Sequence, residues 1–239
     1  MNLSSFRAKA REKLSGKWGK AACITLSYMF INFIFNAILK CLPSGISFIF
    51  SICTVVINVP LAYGLLMQFI KLYNGEDTAV FNFFSLGFNN FTRAWKVALN
   101  VILKLLVPFI LFIISMVLII SLGVVVFLNP NSNLSALAIC AVIACPILSI
   151  WLMVKYYYYV LSDIISIEES NLQPKEAVAK SKELMTNNRW KFFLLDLSFI
   201  GWALLSSLTF GIGMLWLLPY IQLTHIAFYK HISKKEDVI

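Results

Sequence analysis

Six stretches of this chain are too apolar and too long to face water: residues 21–39, 46–70, 105–128, 134–154, 192–208 and 214–229. A helix crosses the hydrocarbon core of a bilayer with about 20 mostly apolar residues. The first four stretches fit that length, each bounded by charge or by a turn such as Pro43-Ser44-Gly45. The last two form one apolar run from 192 to 229, which as a single helix would extend about 57 Å, nearly twice the hydrocarbon thickness. Gly211-Ile212-Gly213 lies near its middle and is expected to break it into two helices. A re-entrant hairpin is the competing reading of that pair, and it leaves the C-terminus on the same side.

Composition agrees. Of 239 residues, 60% are hydrophobic and 13% charged, with a mean hydropathy of +0.82. A soluble domain carries about 25% charged residues. Too few polar side chains exist to coat a water-soluble globule. The net charge of +9 therefore does not point to nucleic acid. The expected class is all-α: a polytopic membrane bundle of six transmembrane helices with interfacial amphipathic helices. Residues 1–20 form an amphipathic N-terminal segment, 21–232 the membrane domain and 233–239 a tail.

Basic residues orient such a bundle, because they accumulate on the cytoplasmic side. Arg7, Lys9, Arg11, Lys13, Lys17 and Lys20 precede the first stretch. Lys71, Arg93 and Lys96 fall in the second loop. Lys155, Lys175, Lys180, Lys182, Arg189 and Lys191 fall in the fourth, and Lys230, Lys234 and Lys235 follow the sixth. Only Lys40 lies in a loop on the other side, and Lys104 sits at a helix end. Both termini are expected to be cytoplasmic.

Residues 2–20 lack the features of a cleavable signal peptide, because the charged region is long and the following apolar run is long enough to span. Leu3, Phe6, Ala10, Leu14 and Trp18 recur at three- and four-residue steps, giving one apolar stripe on a helix. Basic residues fill the other face. The pattern predicts a helix lying in the membrane interface, with Arg7, Arg11, Lys13, Lys17 and Trp18 facing lipid. Phe81, Phe83, Phe84, Phe88, Phe91 and Trp95 crowd one loop, and Tyr156 to Tyr159 end the fourth stretch. Both groups suit an interfacial aromatic belt. Pro174 and Glu176 predict a short surface helix from 174 to 186, ended by a left-handed turn at Asn187-Asn188.

The run from Ala179 to Met185, the run from Arg189 to Trp202, then Gly211-Ile212-Gly213, Leu215-Trp216 and Pro219-Tyr220 resemble the C-terminal signature of domain-of-unknown-function family 975. Ala10-Arg11, Leu14, Gly16 and Trp18 resemble its opening. The family is one of small multi-pass bacterial membrane proteins. One departure is that Thr186 and Asn187 stand where the family shows a glycine. The resemblance implies a multi-pass protein of a bacterial cell membrane and brings no catalytic residue.

Chemistry is sparse. His225 and His231 have no carboxylate at a metal-binding spacing in sequence, and no hydrolase, metalloprotease or phosphate-loop motif occurs. The five cysteines include no C-x-x-C pair and sit in or beside apolar stretches. No cofactor, metal site or enzymatic activity is expected. Polar groups inside a bilayer are costly and so draw attention. Asn32 and Asn36 share a helix face, and Asn58 lies mid-stretch beside Pro60. Together they are candidates for a polar cavity. Asp196, five residues past Lys191, suits ion coupling, an interfacial carboxylate or an ion pair, with Lys104 and the nearby Arg189 or Lys191 as candidate partners. The expected function is a non-enzymatic accessory binding membrane lipids or another membrane protein. A transporter, favoured by prolines 60, 108, 146 and 219 within the spans, is the alternative.

Overall fold

The computed structural model describes residues 3–128 and 135–236, so the loop between the third and fourth apolar stretches, 129–133, and residues 237–239 lie outside it. Every regular element among the described residues is an α-helix. In chain order these are α1 (Leu3–Leu14), α2 (Trp18–Cys41), α3 (Ser44–Asn74), α4 (Asn82–Asn89), α5 (Phe91–Leu128) and α6 (Ser135–Tyr159). There follow α7 (Ser162–Glu168), α8 (Pro174–Met185), α9 (Arg189–Leu197), α10 (Ile200–Leu208) and α11 (Met214–Glu236).

Five helical stretches are long and apolar enough to cross a membrane: Trp18–Cys41, Ser44–Asn74, Phe91–Val125, Val142–Glu168 and Arg189–Leu208. The chain is therefore a helical membrane protein. The long helices are bare along their outer halves. Phe33 on α2, Phe48 on α3 and Ile120 on α5 are each about two-thirds exposed (68%, 68% and 67%). At the end that carries the termini the same helices converge on a dense core, referred to below as the head. Its centre is the latter half of α11, where Leu223, Ile226, Ala227, Phe228 and Ile232 are buried, and this helix packs against α1, α2 and α3, with α9 and the end of α7 beside it.

The first helix departs from expectation. Its stripe of Phe6, Ala10 and Leu14 is fully buried against protein, not laid on lipid. Helix α1 runs antiparallel to α11, with Phe6 edge-on to Phe228 at 5.3 Å and Trp18 beside Tyr220 at 6.1 Å. An apolar stripe needs only an apolar partner, and α11 supplies a protein one. Gly16 makes the turn into α2 at φ +74°, a conformation that disfavours any side chain.

Helix α11 also explains why the sixth expected span is of a different kind. Its latter half is head core and carries Lys230 and Lys234. Only residues 214–220 extend past the level of Trp18, a rise of at most about 9 Å. Helix α2 continues for 23 residues beyond Trp18, about 35 Å. The α10–α11 hairpin is therefore far shorter than its neighbours. It turns at Phe210 and Gly211, both with positive φ (51° and 85°), at the glycine-rich break that the sequence marks.

Three local devices hold the head together. Gly64 of α3 and Gly87 of α4 let two backbones touch. A Cβ on Gly64 would lie 2.0 Å from the Phe83 carbonyl oxygen, and one on Gly87 would lie 2.2 Å from that of Pro60. Pro60 has no N–H to give the Val56 carbonyl one turn earlier. The indole N–H of Trp95 donates to that carbonyl instead, at 3.1 Å. Buried Gln68 donates to the Ala79 carbonyl at 2.6 Å and accepts from the Phe83 N–H at 3.0 Å, which pins the loop before α4.

Helix α8 starts at Pro174, as its sequence predicts, with Gln173 and Glu176 in a capping box. The left-handed turn expected at Asn187-Asn188 does not form; Asn188 has φ −116°. Thr186 and Asn188 instead donate their own side chains to the Lys182 and Leu184 carbonyls at 2.7 and 2.9 Å, so those carbonyls are satisfied without chain reversal.

Candidate functional site

Two cavities in the head combine shape with chemistry. The first is polar, with a volume of about 410 Å³, between α3, α5, α6, α7, α9 and α11. Asp163, Asp196, Gln222 and His225 face it, with Tyr63 and Tyr156 along its wall. Asp163 stands in the first turn of α7, where the helix dipole favours a negative charge. It is surrounded by protein yet keeps its accessible surface, because that surface opens onto the cavity. Among the described residues it has no ion pair or hydrogen-bond partner.

Asp196 is held from two sides. Its Oδ1 lies 2.7 Å from His225 Nε2, and its Oδ2 accepts from the Tyr157 hydroxyl at 3.0 Å. The His225 ring rests on Phe192 at 4.6 Å. None of the candidate partners Lys104, Arg189 and Lys191 holds it: Lys104 is exposed on α5, and both Asp196 oxygens are engaged by Tyr157 and His225. Equal depth in two spans does not imply one azimuth. The antiparallel α9–α11 register decides the partner. Contacts Phe192–Phe228, Asp196–His225 and Phe199–Tyr220 are all centred within a residue of Phe210. Folding the sequence about that glycine-rich break finds His225 opposite Asp196.

The three asparagines do not assemble into a site. Asn32 donates to the Tyr28 carbonyl at 3.0 Å and Asn36 to the Asn32 carbonyl at 2.8 Å, each within its own helix. Asn58 is half-buried on α3 and does not line the polar cavity. For Asn32 and Asn36 the side-chain amide is satisfied on the preceding turn, which removes the need for a partner helix.

Around the polar cavity the head is tied by charge. Arg93 at the start of α5 donates to the carbonyls of Ser166, Ser170 and Leu172 at 3.0, 3.1 and 2.9 Å, gathering the end of α7 and the loop after it. Ser166 also meets the Tyr63 hydroxyl at 3.0 Å. Glu169 receives Lys180 at 2.9 Å and Tyr229 at 2.8 Å. On the exposed rim Lys20 pairs with Asp77, and that hydrogen bond holds the Asp77 carboxyl below the usual carboxylate range.

The second cavity is an apolar groove of about 490 Å³ between α1, the start of α2, and the α10–α11 hairpin. Trp18, Trp202, Trp216 and Tyr220 line it, and Arg11 supplies its one cationic group. Arg11 and Trp18 are thus two of the expected lipid-facing residues that do share a site. Arg7, Lys13 and Lys17 are not part of it. Trp202, Trp216 and Tyr220 were missed because their spacing reads simply as core; only the short hairpin brings them to Arg11.

Among the described residues no group of three or more His, Cys, Asp or Glu side chains is placed to hold a metal ion. No curated protein and no solved structure matches the chain. A family model described as "Protein of unknown function (DUF975)" matches residues 1–236, and the chain belongs to that family.

Proposed function

We propose that this protein is a non-enzymatic membrane accessory that binds an anionic amphiphile, a phospholipid of the surrounding bilayer, in the Trp-lined groove. The groove itself carries the reading. Its wall is almost entirely apolar and aromatic, and Arg11 stands alone at its margin. That arrangement suits an acyl chain below an anionic headgroup, since indole rings prefer the membrane interface and guanidinium pairs well with phosphate. The depth agrees: the hairpin wall extends at most about 9 Å past Trp18, about the span of one leaflet's upper half. In this account the protein sits in a bacterial cell membrane with the head and both termini on the cytoplasmic side, as the basic residues favour. The α10–α11 hairpin is re-entrant. A second membrane protein is a further candidate partner, through exposed residues such as Trp190.

The test uses full-length protein in nanodiscs and brominated lipids as quenchers of tryptophan fluorescence. Brominated anionic lipid should quench more than brominated neutral lipid, and Arg11→Gln should remove most of the difference. Equal quenching by both lipids in the wild type contradicts the reading.

Transport is the second reading, favoured by the polar cavity and the unpaired Asp163. It requires that proteoliposomes show a proton or cation flux that Asp163→Asn abolishes while the variant remains folded. Proteoliposomes without such a flux leave the accessory reading alone.

A further inference from the structure

A third cavity, of about 550 Å³, opens on the other side of α1 from the groove. Lys9 and Lys13 are one turn apart on α1. Lys230 and Lys234 are one turn apart on α11, which runs antiparallel beside it. All four line the same space, with Tyr73 between them: Lys13 Nζ lies 5.6 Å and Lys230 Nζ 5.2 Å from its ring centroid. Lys230 is partly compensated, by Glu168 at 3.3 Å and by a hydrogen bond to Asn74 at 2.6 Å. Among the described residues Lys9, Lys13 and Lys234 have no carboxylate within ion-pair distance.

The bias of basic residues towards one membrane face accounts for lysines on this side. It does not account for their convergence. Like charges one turn apart on a helix repel, and two such pairs facing each other across one cavity repel further. Cations buried deeper in the head have acceptors: Lys180 pairs with Glu169, and Arg93 donates to the ends of helical segments. Here three are left pointing into a shared space. We infer that this cavity binds a phosphate-bearing anion of at least two negative charges, recognised by Lys9, Lys13 and Lys234 over the Tyr73 ring. Several ammonium groups around a single concavity suit the distributed charge of a phosphate or diphosphate. The same chemistry is offered by a soluble phosphate compound or by a phospholipid headgroup reaching in from the rim.

The experiment uses the full chain in nanodiscs of neutral lipid, with inorganic pyrophosphate as the probe in calorimetric titration. The variant Lys9→Gln/Lys13→Gln/Lys234→Gln is compared with Lys96→Gln/Lys175→Gln/Lys182→Gln, which removes equal charge outside the cavity. Pyrophosphate should bind the wild type and the second variant with affinities within about two-fold, and the first at least ten-fold more weakly. A second arm repeats the titration in nanodiscs containing phosphatidylglycerol and counts retained lipids by native mass spectrometry. A headgroup ligand gives anionic lipid retained by the wild type and lost from the first variant, with pyrophosphate affinity reduced by competition. A soluble ligand gives unchanged pyrophosphate affinity. Should the first variant fail to fold, the single change Lys234→Gln must still lower affinity. Equal weakening in both triple variants shows a diffuse surface field and overturns the site. So does a wild type that binds neither pyrophosphate nor anionic lipid. The outcome is separable from the groove reading, because Arg11 is untouched.

Discussion

Residues 21–25 and 30–38 belong to the same unbroken helix, α2, and both are dominated by small and apolar side chains. In the first segment Ala21, Ile24 and Thr25 are fully enclosed by protein, while Cys23 between them faces out. In the second, Phe30 is 57% and Phe33 68% exposed. The contrast holds for α3 and α5 as well, and it separates the head from the outer helices. Where water is the alternative, apolar area is driven together at roughly 25 cal/mol per Å². Where lipid is the alternative, that drive vanishes, and helices meet only through close packing or polar contacts. The head is built by the first rule, from short helices around α11. Outside it the long helices need no partner at all.

The comparison is broken most severely at Phe6. Phe6→Ala removes a ring enclosed by Phe228 and His231 and should cost about 3–5 kcal/mol. Phe33→Ala, on the bare part of α2, should change stability by less than about 0.5 kcal/mol. Both are read as thermal unfolding midpoints in detergent by tryptophan fluorescence. If the two variants lose equal stability, the division into head and outer helices fails.

The next effect is steric. Gly64→Ala places a methyl group within van der Waals radii of backbone atoms of α4, which cannot swing aside as a side chain can. The expected loss is about 3 kcal/mol, at the upper end of overpacking costs. Gly123→Ala on α5 meets nothing within 4 Å and should be neutral or slightly stabilising, as alanine favours the helix by about 1 kcal/mol. The same thermal assay checks both.

How much of this contrast the sequence discloses depends on the kind of force. Span positions on α2, α3 and α5 are legible because hydropathy alone decides them. The start of α8 is legible because Pro174 and Glu176 act within one turn. The partner of α1 is not, because Phe6, Ala10 and Leu14 would satisfy lipid or protein equally well. Asp196 needed a register, and depth along a helix does not give one; the break at 211–213 held that information. Gly64 and Gly87 are invisible until two backbones are placed 23 residues apart in sequence and in contact in space.

A smaller effect sharpens the account of how the head is pinned together. Gln68→Leu leaves the Phe83 N–H and the Ala79 carbonyl without their partner and should cost about 1–3 kcal/mol. Trp95→Phe keeps most of the ring and loses only the bond to the Val56 carbonyl, and about 1 kcal/mol is expected. Thermal midpoints in the order Gln68→Leu below Trp95→Phe below wild type fit the proposal; the reverse order would show that the carbonyl freed by Pro60 matters more than the buried amide.

The most direct test of the division between head and outer helices requires no substitution. A photoactivatable lipid is crosslinked to the protein in nanodiscs, and the adducts are mapped by mass spectrometry. Adducts should concentrate on exposed outer residues such as Phe33, Phe48 and Ile120, and spare Phe6, Ala10 and Leu14. Adducts on the apolar face of α1 as abundant as those on the outer half of α2 would contradict the account, returning that helix to the lipid surface and dissolving the head it helps to close.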